Sequence, residues 1–358
     1  MQKGKTLFLM VLITVMMLVF FPAASPATEK IIWTGQSTYP TGLPQLYEPA
    51  EHFAREVEKL TDGRLVIEMT PGGFIVPGMK VFDAVSAGTI DIGCTWAGWW
   101  VEKFPAAVLV ANSYPNGLHM QEMLGWIYTG GGLELWNELY KGHDIVVLPP
   151  YGMLGSENFC WSHKPINKLS DFKGLKFRTV GIWGQCLERL GAHVVALPGV
   201  EVYPSLKKGV IDACEFGTPA IDKKFGFYEI CSYLKVPGIH ETCTPLETLV
   251  NKKSWEKLPD DLKYKVRVAL RDTCFWAINK ALKEDAEAME FFKSYKGLHV
   301  SKLTPEMIDG IVTVGNKLLE EHASKDLMFD KILKSQIKFR KEVEPYEELI
   351  RLPYPYAK

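Results

Sequence analysis

The chain has 358 residues, more than a single hydrophobic core usually spans, so its length predicts two domains. Apolar residues make up 47% and charged residues 23%, which excludes intrinsic disorder and a multi-pass membrane protein. Lysine and arginine total 41 and aspartate and glutamate 42, a net charge of −1 with no basic stripe, which excludes a nucleic-acid-binding protein. The composition favours a chain that mostly folds in water and has small molecules or proteins as partners.

The N-terminus has the order of segments found in secretory signal peptides. Lys3 and Lys5 precede an apolar run at residues 7–21, and small residues follow it. This run is shorter than the roughly 18 residues that a membrane-spanning helix needs. We predict that residues 1–27 are a signal peptide cleaved after Ala27. Cleavage removes two lysines and no acid, so the net charge of the exported protein changes from −1 to −3.

The first half of the mature sequence alternates between strand and helix patterns. A β-rich run at 30–35, helical apolar spacing at 47–60 and an alternating strand at 64–70 come first. A helix then ends at Gly88, because glycine adopts the left-handed conformation that closes a helix, and a strand covers 89–95. This order predicts α/β layers with largely parallel sheets.

The second half repeats the alternation. It predicts strands and helices in turn at 174–179, 184–190, 193–197, 201–208 and 210–214. Residues 82–91 and 203–212 share one pattern: a helix, a glycine, a β-branched residue, Ile and Asp. The pattern predicts a unit shared by two lobes with a cleft between them, although helix–Gly–strand junctions look alike in many proteins.

The last third of the sequence is helical. An apolar stripe over residues 259–293 is long enough to connect one lobe with the other, and Thr304 is an N-cap followed by proline at the first helical position. We predict helices near 260–293, 305–323 and 328–348.

Seven cysteines are spread along the chain without CxxC or metal-ligand spacing, and an odd number cannot pair completely within one chain. We expect no disulfide framework, and buried thiols at positions such as Cys94 and Cys214. The sequence leaves open a bridge between Cys231 and Cys243.

The sequence contains no enzyme signature: GxSxG, HExxH, the P-loop and GxGxxG between strand and helix are all missing. We therefore predict that the protein is not an enzyme. Trp96, Trp99 and Trp100 follow a predicted strand, and we expect at least one to face a cleft, since three buried indole N–H groups need three partners. Core packing is the alternative for these side chains.

Arg178 ends a predicted strand and has apolar neighbours. Its guanidinium matches a carboxylate in bidentate geometry, and a surface salt bridge is the alternative. Around it, the segments 171–178 (DFKGLKFR), 190–192 (LGA), 197–203 (LPGVEVY) and 208–212 (KGVID) resemble substrate-binding proteins of TRAP (tripartite ATP-independent periplasmic) transporters, the DctP-like family. The resemblance covers nearly the whole mature chain and is strongest to the branch that binds 2-oxo acids and related monocarboxylates with a metal ion.

The resemblance implies a periplasmic, two-lobed α/β binding protein of type II-like fold, with a ligand cleft, a long connecting helix and a helical C-terminus. It implies capture of a small organic acid and docking on a membrane permease driven by an ion gradient. It also leaves a homodimer with exchanged C-terminal helices open. We divide the chain into lobe I (28–150 and 243–300) and lobe II (151–242 and 301–358).

The resemblance also implies site residues. Arg178 matches the arginine that binds the ligand carboxylate, and Trp99 falls where the branch has an aromatic contact, commonly Tyr. Glu215 and Phe216 fall where the branch has a Glu side chain and a Trp main-chain carbonyl on the metal. Glu241 matches a second carboxylate ligand. Trp99 and Phe216 would pack the short apolar tail of the acid.

Two residues depart from the pattern of the branch. Phe216 in place of Trp loses an indole donor but keeps the carbonyl, and Glu157 in place of a Gln ligand adds a charge. Three ionised glutamates contribute −3, Arg178 +1 and a monocarboxylate −1, which leaves −3 before the metal. Because uncompensated buried charge is costly, this sum favours Ca²⁺ over Na⁺.

Two other functions remain open from the sequence. One is a secreted binding protein of an ATP-driven transporter, which differs in its partner and not in its fold. The other is a secreted enzyme that acts on a carboxylate.

Overall fold

The computed structural model describes residues 30–350, in which the chain forms two β-sheets flanked by α-helices. The predicted signal peptide and its cleavage site after Ala27 lie outside these residues. None of the described helices has both the length and the apolar character of a membrane span.

The first sheet has five strands in the order β2-β1-β3-β10-β4. Strands β2, β1 and β3 are parallel, with β2 at the edge of the sheet, and β10 runs antiparallel between β3 and β4. The strands are β1 (Ile31–Ser37), β2 (Leu65–Thr70), β3 (Ile92–Thr95), β4 (Ile145–Leu154) and β10 (Thr244–Asn251). The helices around it are α1 (Glu48–Leu60), α2 (Val81–Ala87), α3 (Ala107–Val110), α4 (Met120–Thr129), α5 (Gly132–Leu139) and α9 (Lys252–Lys257).

The second sheet has six shorter strands in the order β11-β9-β5-β8-β6-β7. They are β5 (Cys160–Ser162), β6 (Lys176–Arg178), β7 (His193–Val195), β8 (Ala213–Cys214), β9 (Tyr233–Val236) and β11 (His299–Lys302). The associated helices are α6 (Gly181–Arg189), α7 (Gly199–Lys207) and α8 (Pro219–Phe225). The α/β class predicted from the alternation is confirmed.

The repeated sequence pattern has the same structure in both sheets. Gly88 and Gly209 both have left-handed backbone angles, with φ of 76° and 70°. Three residues further on, the Asp91 carboxylate accepts the N–H of Thr34 at 2.8 Å, and the Asp212 carboxylate accepts the N–H of Lys176 at 3.0 Å. Each aspartate thus ties its strand to the neighbouring parallel strand, so the match between the halves reflects a shared unit.

The strand predicted at 174–179 begins at Lys176, and the two strand predictions that follow Gly88 and Gly209 are also too long at their N-terminal ends. The strand predicted at 89–95 begins at Ile92, and the one predicted at 210–214 begins at Ala213. The residue after each glycine still belongs to the helix end, because Thr89 N–H donates to the Ala84 carbonyl and Val210 N–H to the Ser205 carbonyl, both at 2.9 Å.

The long helix α10 (Asp260–Ser294) crosses between two hydrophobic cores, as predicted. Near its start, Leu262 and Val266 belong to the core around the first sheet, and near its end Ala288 and Phe292 pack with Trp161 of the second sheet. The two remaining helices, α11 (Pro305–Ala323) and α12 (Leu327–Ile350), also match their predicted ranges.

The sheets and helices refine the proposed lobe boundaries. Strand β4 continues past residue 150, and β11 pairs with β9, so residues 299 and 300 belong to the second sheet. Helix α12 packs against α3, α4 and α5, which the proposed division places in lobe I. Its buried Phe329, Ile332 and Leu333 provide the apolar contact, and Trp126 Nε1 donates to Ser335 Oγ at 3.0 Å.

All seven cysteines lie in the described part of the chain, and there they are buried and unpaired. Cys231 belongs to the core of the second sheet, whereas Cys243 belongs to the largest core cluster. The bridge that the sequence left open between these two residues is therefore not formed.

Candidate functional site

A cavity of about 290 Å³ is lined by residues that follow strands of both sheets. Tyr39 comes after β1, and Trp96 and Trp99 come after β3. On the second sheet, Arg178 is the last residue of β6 and Glu215 follows β8 directly. Ligands of open α/β sheets commonly bind outside the carboxyl ends of the strands. This cavity is therefore the candidate binding site.

Arg178 is held in one orientation by carbonyl oxygens. Its Nε and Nη2 donate to the Leu197 carbonyl at 3.3 and 3.2 Å, and Nη1 donates to the Glu215 carbonyl at 3.1 Å. Nη1 also lies 3.3 Å from Glu215 Oε1. Because a guanidinium has five N–H groups, one N–H of Nη2 has no partner within residues 30–350. The side chain lines the cavity and can offer this N–H to an anion.

Three glutamates reach the cavity from different parts of the chain. Glu215 follows β8, whereas Glu157 and Glu241 lie in the two segments that connect the sheets, after β4 and before β10. The connecting segments bond to each other through the Glu157 N–H and the Glu241 carbonyl, 3.2 Å apart. A Cβ at Gly238 would lie 2.5 Å from the Glu157 carbonyl oxygen, so glycine is required for this close approach.

Burial raises the pKa of all three carboxyl groups. The pKa of Glu157 rises to about 7, although Arg178 and a contact with Glu215 act in the opposite direction. The pKa of Glu215 is raised by burial, against the lowering effect of Arg178, and that of Glu241 is raised well above its usual value by burial and then by Glu157. One guanidinium therefore does not neutralise the group, and a bound cation would lower these pKa values.

The donor set fits a hard cation. Glu157 and Glu215 each place a carboxylate oxygen within 4.8 Å of the other and of a nitrogen of His240, and carboxylate oxygens are ligands that Ca²⁺ prefers. Glu241 lines the same cavity, where its Oε1 accepts the Thr244 hydroxyl at 2.7 Å. It lies outside the set of three ligand atoms that this 4.8 Å limit brings together.

His240 is a site residue that the sequence analysis did not identify. Its Nε2 lies 3.2 Å from Glu157 Oε2, and its ring stacks on Trp183 with centroids 5.1 Å apart. Burial lowers the pKa of His240 to about 4, and its Nδ1 has no hydrogen-bond partner in the described part of the chain. Its position beside Glu241 is the one sequence feature that could have indicated this role.

Two of the three clustered tryptophans line the cavity. Trp96 and Trp99 meet edge to face with ring centroids 5.3 Å apart, and Trp99 is 37% exposed. Trp100 instead turns into the core, where its indole donates to Glu247 at 2.9 Å. Phe216 also lines the cavity, with its ring centroid 5.4 Å from the Arg178 guanidinium.

Comparison with known proteins agrees with this architecture. Residues 37–326 match the DctP family, described as bacterial extracellular solute-binding protein, family 7. A monocarboxylate 2-oxoacid-binding periplasmic protein of Nostoc sp. is 32% identical over 325 residues, which is 91% of this chain and 88% of that protein.

Three solved structures share the fold over 90% of this chain. A TRAP periplasmic solute-binding protein of Colwellia psychrerythraea with bound calcium and pyruvate has a TM-score of 0.84 at 29% identity, with 98% of its own chain covered. One from Pseudoalteromonas atlantica with sodium and pyruvate has a TM-score of 0.83 at 28% identity, with 97% covered. One from Bordetella bronchiseptica, a dimer with calcium and picolinate, has a TM-score of 0.83 at 29% identity, with 95% covered.

The two-lobed fold and the extent of the match identify the family of this protein. The matched proteins are solute-binding proteins rather than enzymes, and the match covers far more than half of the sequence. The chain belongs to the DctP family of TRAP-transporter solute-binding proteins.

Proposed function

We propose that this protein binds a small 2-oxo or 2-hydroxy monocarboxylate in its cavity and delivers the acid to a membrane permease. One observation carries the proposal: the Arg178 guanidinium and the carboxyl groups of Glu157 and Glu215 line the same cavity. The ligand carboxylate pairs with Arg178, and the 2-oxo or 2-hydroxy oxygen binds a cation held by the glutamates. The pyruvate in two of the structural relatives supports this ligand class.

Bidentate binding of the ligand carboxylate, which we call the clamp, requires a small change in the contacts of Arg178. Bidentate binding of a carboxylate uses two N–H groups. Nη2 supplies one, and the second comes from Nη1 when Glu215 Oε1 leaves its 3.3 Å contact and turns to the cation. Trp99 and Phe216, which line the cavity, contact the rest of the ligand.

The proposed cation ligands are Glu157, Glu215, Glu241 and the Phe216 carbonyl, and we favour Ca²⁺ over Na⁺. Burial raises the pKa of all three carboxyl groups, which means that their negative charges are poorly compensated by the protein. A cation with two positive charges compensates them better than a cation with one. The cation supplies a positive charge that binds the 2-oxo oxygen. Elemental analysis of gently purified protein is expected to find calcium. Sodium-dependent binding of the acid with no divalent ion present would contradict the preference.

The binding test uses the full chain, freed of metal and ligand, in titration calorimetry with pyruvate. We expect heat of binding when CaCl₂ is present and little without a cation. Product analysis after incubation is expected to return the acid unchanged, which separates binding from an enzymatic role. If no 2-oxo or 2-hydroxy acid binds with either Ca²⁺ or Na⁺, the proposal fails.

Delivery to a permease requires export, for which the segment 1–27 is the proposed signal peptide. Mass spectrometry of the exported protein is expected to find Thr28 as its first residue. In vesicles that contain the permease, uptake of labelled acid is expected to need this protein and an ion gradient. Uptake that requires ATP would instead support the ATP-driven alternative.

We also propose that the protein forms a homodimer, which the dimeric relative from Bordetella bronchiseptica supports. The C-terminal end of α12, where Leu349 is 86% exposed, supplies apolar area for such contacts. Light scattering is expected to give twice the monomer mass. A monomer at micromolar concentration would contradict this part of the proposal.

A further inference from the structure

Asp222 is a buried acid that the proposed binding mechanism does not use. It lies on helix α8 with no exposed surface, and its Oδ2 accepts hydrogen bonds from Asn158 Nδ2 and Trp161 Nε1, both at 2.6 Å. Within residues 30–350, Oδ1 of Asp222 and Oδ1 of Asn158 have no hydrogen-bond partner. Because buried oxygens without partners lower stability, this pair is a poor choice for core packing alone, which indicates a further role.

Asn158 connects two segments of the chain that carry proposed cation ligands. It follows Glu157 directly and is 1% exposed. Its main-chain N–H donates to the Gly217 carbonyl at 2.9 Å, and Gly217 follows Phe216 directly. As long as the side chain of Asn158 is held in place, the main chain of Glu157 therefore stays beside that of Glu215 and Phe216.

The helix that carries Asp222 is attached to the second of these segments. The Asp222 N–H donates to the Thr218 carbonyl at 2.9 Å in the first turn of α8. A Cβ at Gly217 would lie 3.1 Å from a methyl carbon of Ile221 and 3.6 Å from Asp222 Oδ1. The segment that contains Glu215 and Phe216 therefore leads into a turn of α8 on which it packs closely.

Trp161 ties Asp222 to the second sheet. It lies on β5 in register with Cys214 of β8, the residue directly before Glu215. Its indole is fully buried and meets the ring of Phe292 edge to face, with centroids 5.0 Å apart. The carboxyl group of Asp222 thus joins a fixed position on the sheet to the segment that begins at Glu157.

From this arrangement we propose that Asp222 is a positioning residue of the cation site, which holds Glu157 at the distance from Glu215 and the Phe216 carbonyl that a bound cation requires. The inference rests on the proposed function, because it concerns the cation that the glutamates bind. Asp222 does not line the cavity and acts through Asn158. Residues that orient metal ligands in this way contribute about 10- to 100-fold to metal affinity.

The test is titration calorimetry of the full chain, freed of metal, with pyruvate at a series of CaCl₂ concentrations. The measured quantity is the CaCl₂ concentration at which pyruvate binding is half-maximal, which we call the CaCl₂ requirement. Asp222→Ala removes the acceptor of Asn158 and Trp161, so the CaCl₂ requirement is expected to rise about tenfold or more. The affinity for pyruvate at saturating CaCl₂ is expected to change less, because Arg178 is unaffected.

Two further variants examine the connection itself. The amide oxygen of Asp222→Asn can accept the same two hydrogen bonds, and burial already raises the pKa of Asp222 well above its usual value, so a neutral side chain fits there. Its CaCl₂ requirement is expected to stay close to that of the wild type. Asn158→Ala breaks the connection from the other side and is expected to raise the requirement as Asp222→Ala does. Because the two residues act as one unit, the double variant is expected to lose no more than the more affected single variant.

Glu122→Ala is the matched control for the loss of a buried carboxylate. Glu122 is 4% exposed and pairs with Arg340 outside the cavity. This variant is expected to lower the unfolding temperature without changing the CaCl₂ requirement. An equal rise of the requirement in Glu122→Ala and Asp222→Ala would overturn the inference, because it would trace the rise to lost stability.

Two other results overturn the inference while the proposed function stands. One is a wild-type CaCl₂ requirement in Asp222→Ala, and the other is an equal rise in Asp222→Ala and Asp222→Asn. If Asp222→Ala does not fold, the result for Asn158→Ala decides in its place. If Na⁺ alone supports binding, NaCl replaces CaCl₂ in the series. If the wild type binds no 2-oxo or 2-hydroxy acid with either cation, the proposed function itself fails.

Discussion

Two sets of buried carboxylates in this protein have opposite surroundings. Glu247, on β10, accepts hydrogen bonds from four groups at 2.5 to 2.9 Å: the hydroxyl of Thr95, the indoles of Trp100 and Trp136 and the phenol of Tyr140. In the cavity, each of the three glutamates has fewer such contacts. Glu215 is near Arg178 Nη1 at 3.3 Å, Glu157 is near His240 Nε2 at 3.2 Å, and Glu241 accepts the Thr244 hydroxyl at 2.7 Å. Burial raises the pKa in both sets, but at Glu247 four donors oppose that effect.

The contrast separates a structural carboxylate from a binding carboxylate. A buried charge whose oxygens are filled by protein donors needs no further partner. A buried charge with few donors is unfavourable until an ion or ligand binds, and relief of this unfavourable free energy favours binding. The number of donors, and not the depth of burial, distinguishes Glu247 from Glu215 in this chain.

The largest effect on stability is expected at Glu247. Glu247→Ala leaves two indole N–H groups and a phenol without an acceptor in the core, so the free energy of unfolding is expected to fall by about 3–5 kcal/mol. Chemical denaturation of the metal-free protein measures it. Glu215→Gln is the matched control, and its unfolding free energy is expected to stay near that of the wild type or to rise. Equal losses of unfolding free energy in Glu247→Ala and Glu215→Gln would contradict the distinction between a structural and a binding carboxylate.

Ligand binding is expected to depend most on Arg178. Arg178→Ala removes the guanidinium that faces the Glu157 and Glu215 carboxyl groups, and the binding free energy of the acid is expected to weaken by about 2–5 kcal/mol. Arg178→Lys keeps the charge but not the planar fork, so an intermediate loss is expected. Calorimetry with the acid in CaCl₂ measures both variants. Near-native affinity of Arg178→Ala would contradict the proposed clamp.

The sequence predicted more of the fold than of the contrast between the carboxylates. Periodicity and helix ends determined α10, α11 and α12 to within about two residues, because long amphipathic helices repeat their pattern many times. The glycine and aspartate of the repeated unit are local features, and they predicted the shared structure around Asp91 and Asp212. Strand starts were less accurate because helix-end hydrogen bonds continue past the glycines.

Contacts between distant residues could not be predicted from local patterns. Glu247 meets Trp136, and Glu157 meets His240, only after segments about 80 to 110 residues apart have packed. The family resemblance identified Glu157, Glu215 and Glu241 as candidates, but nothing local in the sequence distinguishes them from Glu247. That distinction depends on which donors the fold brings to each carboxylate.

The charge of Glu157 is expected to set the choice of cation. Glu157→Gln removes one negative charge from the site, which weakens attraction for a divalent ion more than for a monovalent one. We expect the preference for Ca²⁺ over Na⁺ to fall by about tenfold, or about 1.4 kcal/mol. Titrations of the acid at varied CaCl₂ and NaCl measure this ratio. Glu122→Gln, which removes a buried glutamate that pairs with Arg340 outside the cavity, is the control.

The last prediction concerns the pH dependence of the stability of the metal-free protein. Because burial raises the pKa of Glu157 from 4.5 to about 7, the folded state holds this proton more tightly than the unfolded state. The contribution of Glu157 to stability is therefore lost as the pH rises through this window, with a slope of at most about 1.4 kcal/mol per pH unit.

Comparison of the wild type with Glu157→Gln isolates this effect. Burial lowers the pKa of His240 to about 4, which makes stability fall toward acid pH, but His240 is present in both proteins and its effect largely cancels in the difference. The variant is expected to gain stability relative to the wild type between pH 4.5 and 7, measured by denaturation in a chelator. Saturating Ca²⁺ is expected to reverse the sign, because the ion stabilises the ionised Glu157 that the variant lacks. A difference that does not change with pH or with Ca²⁺ would mean that Glu157 resembles Glu247, with its charge already compensated by the protein.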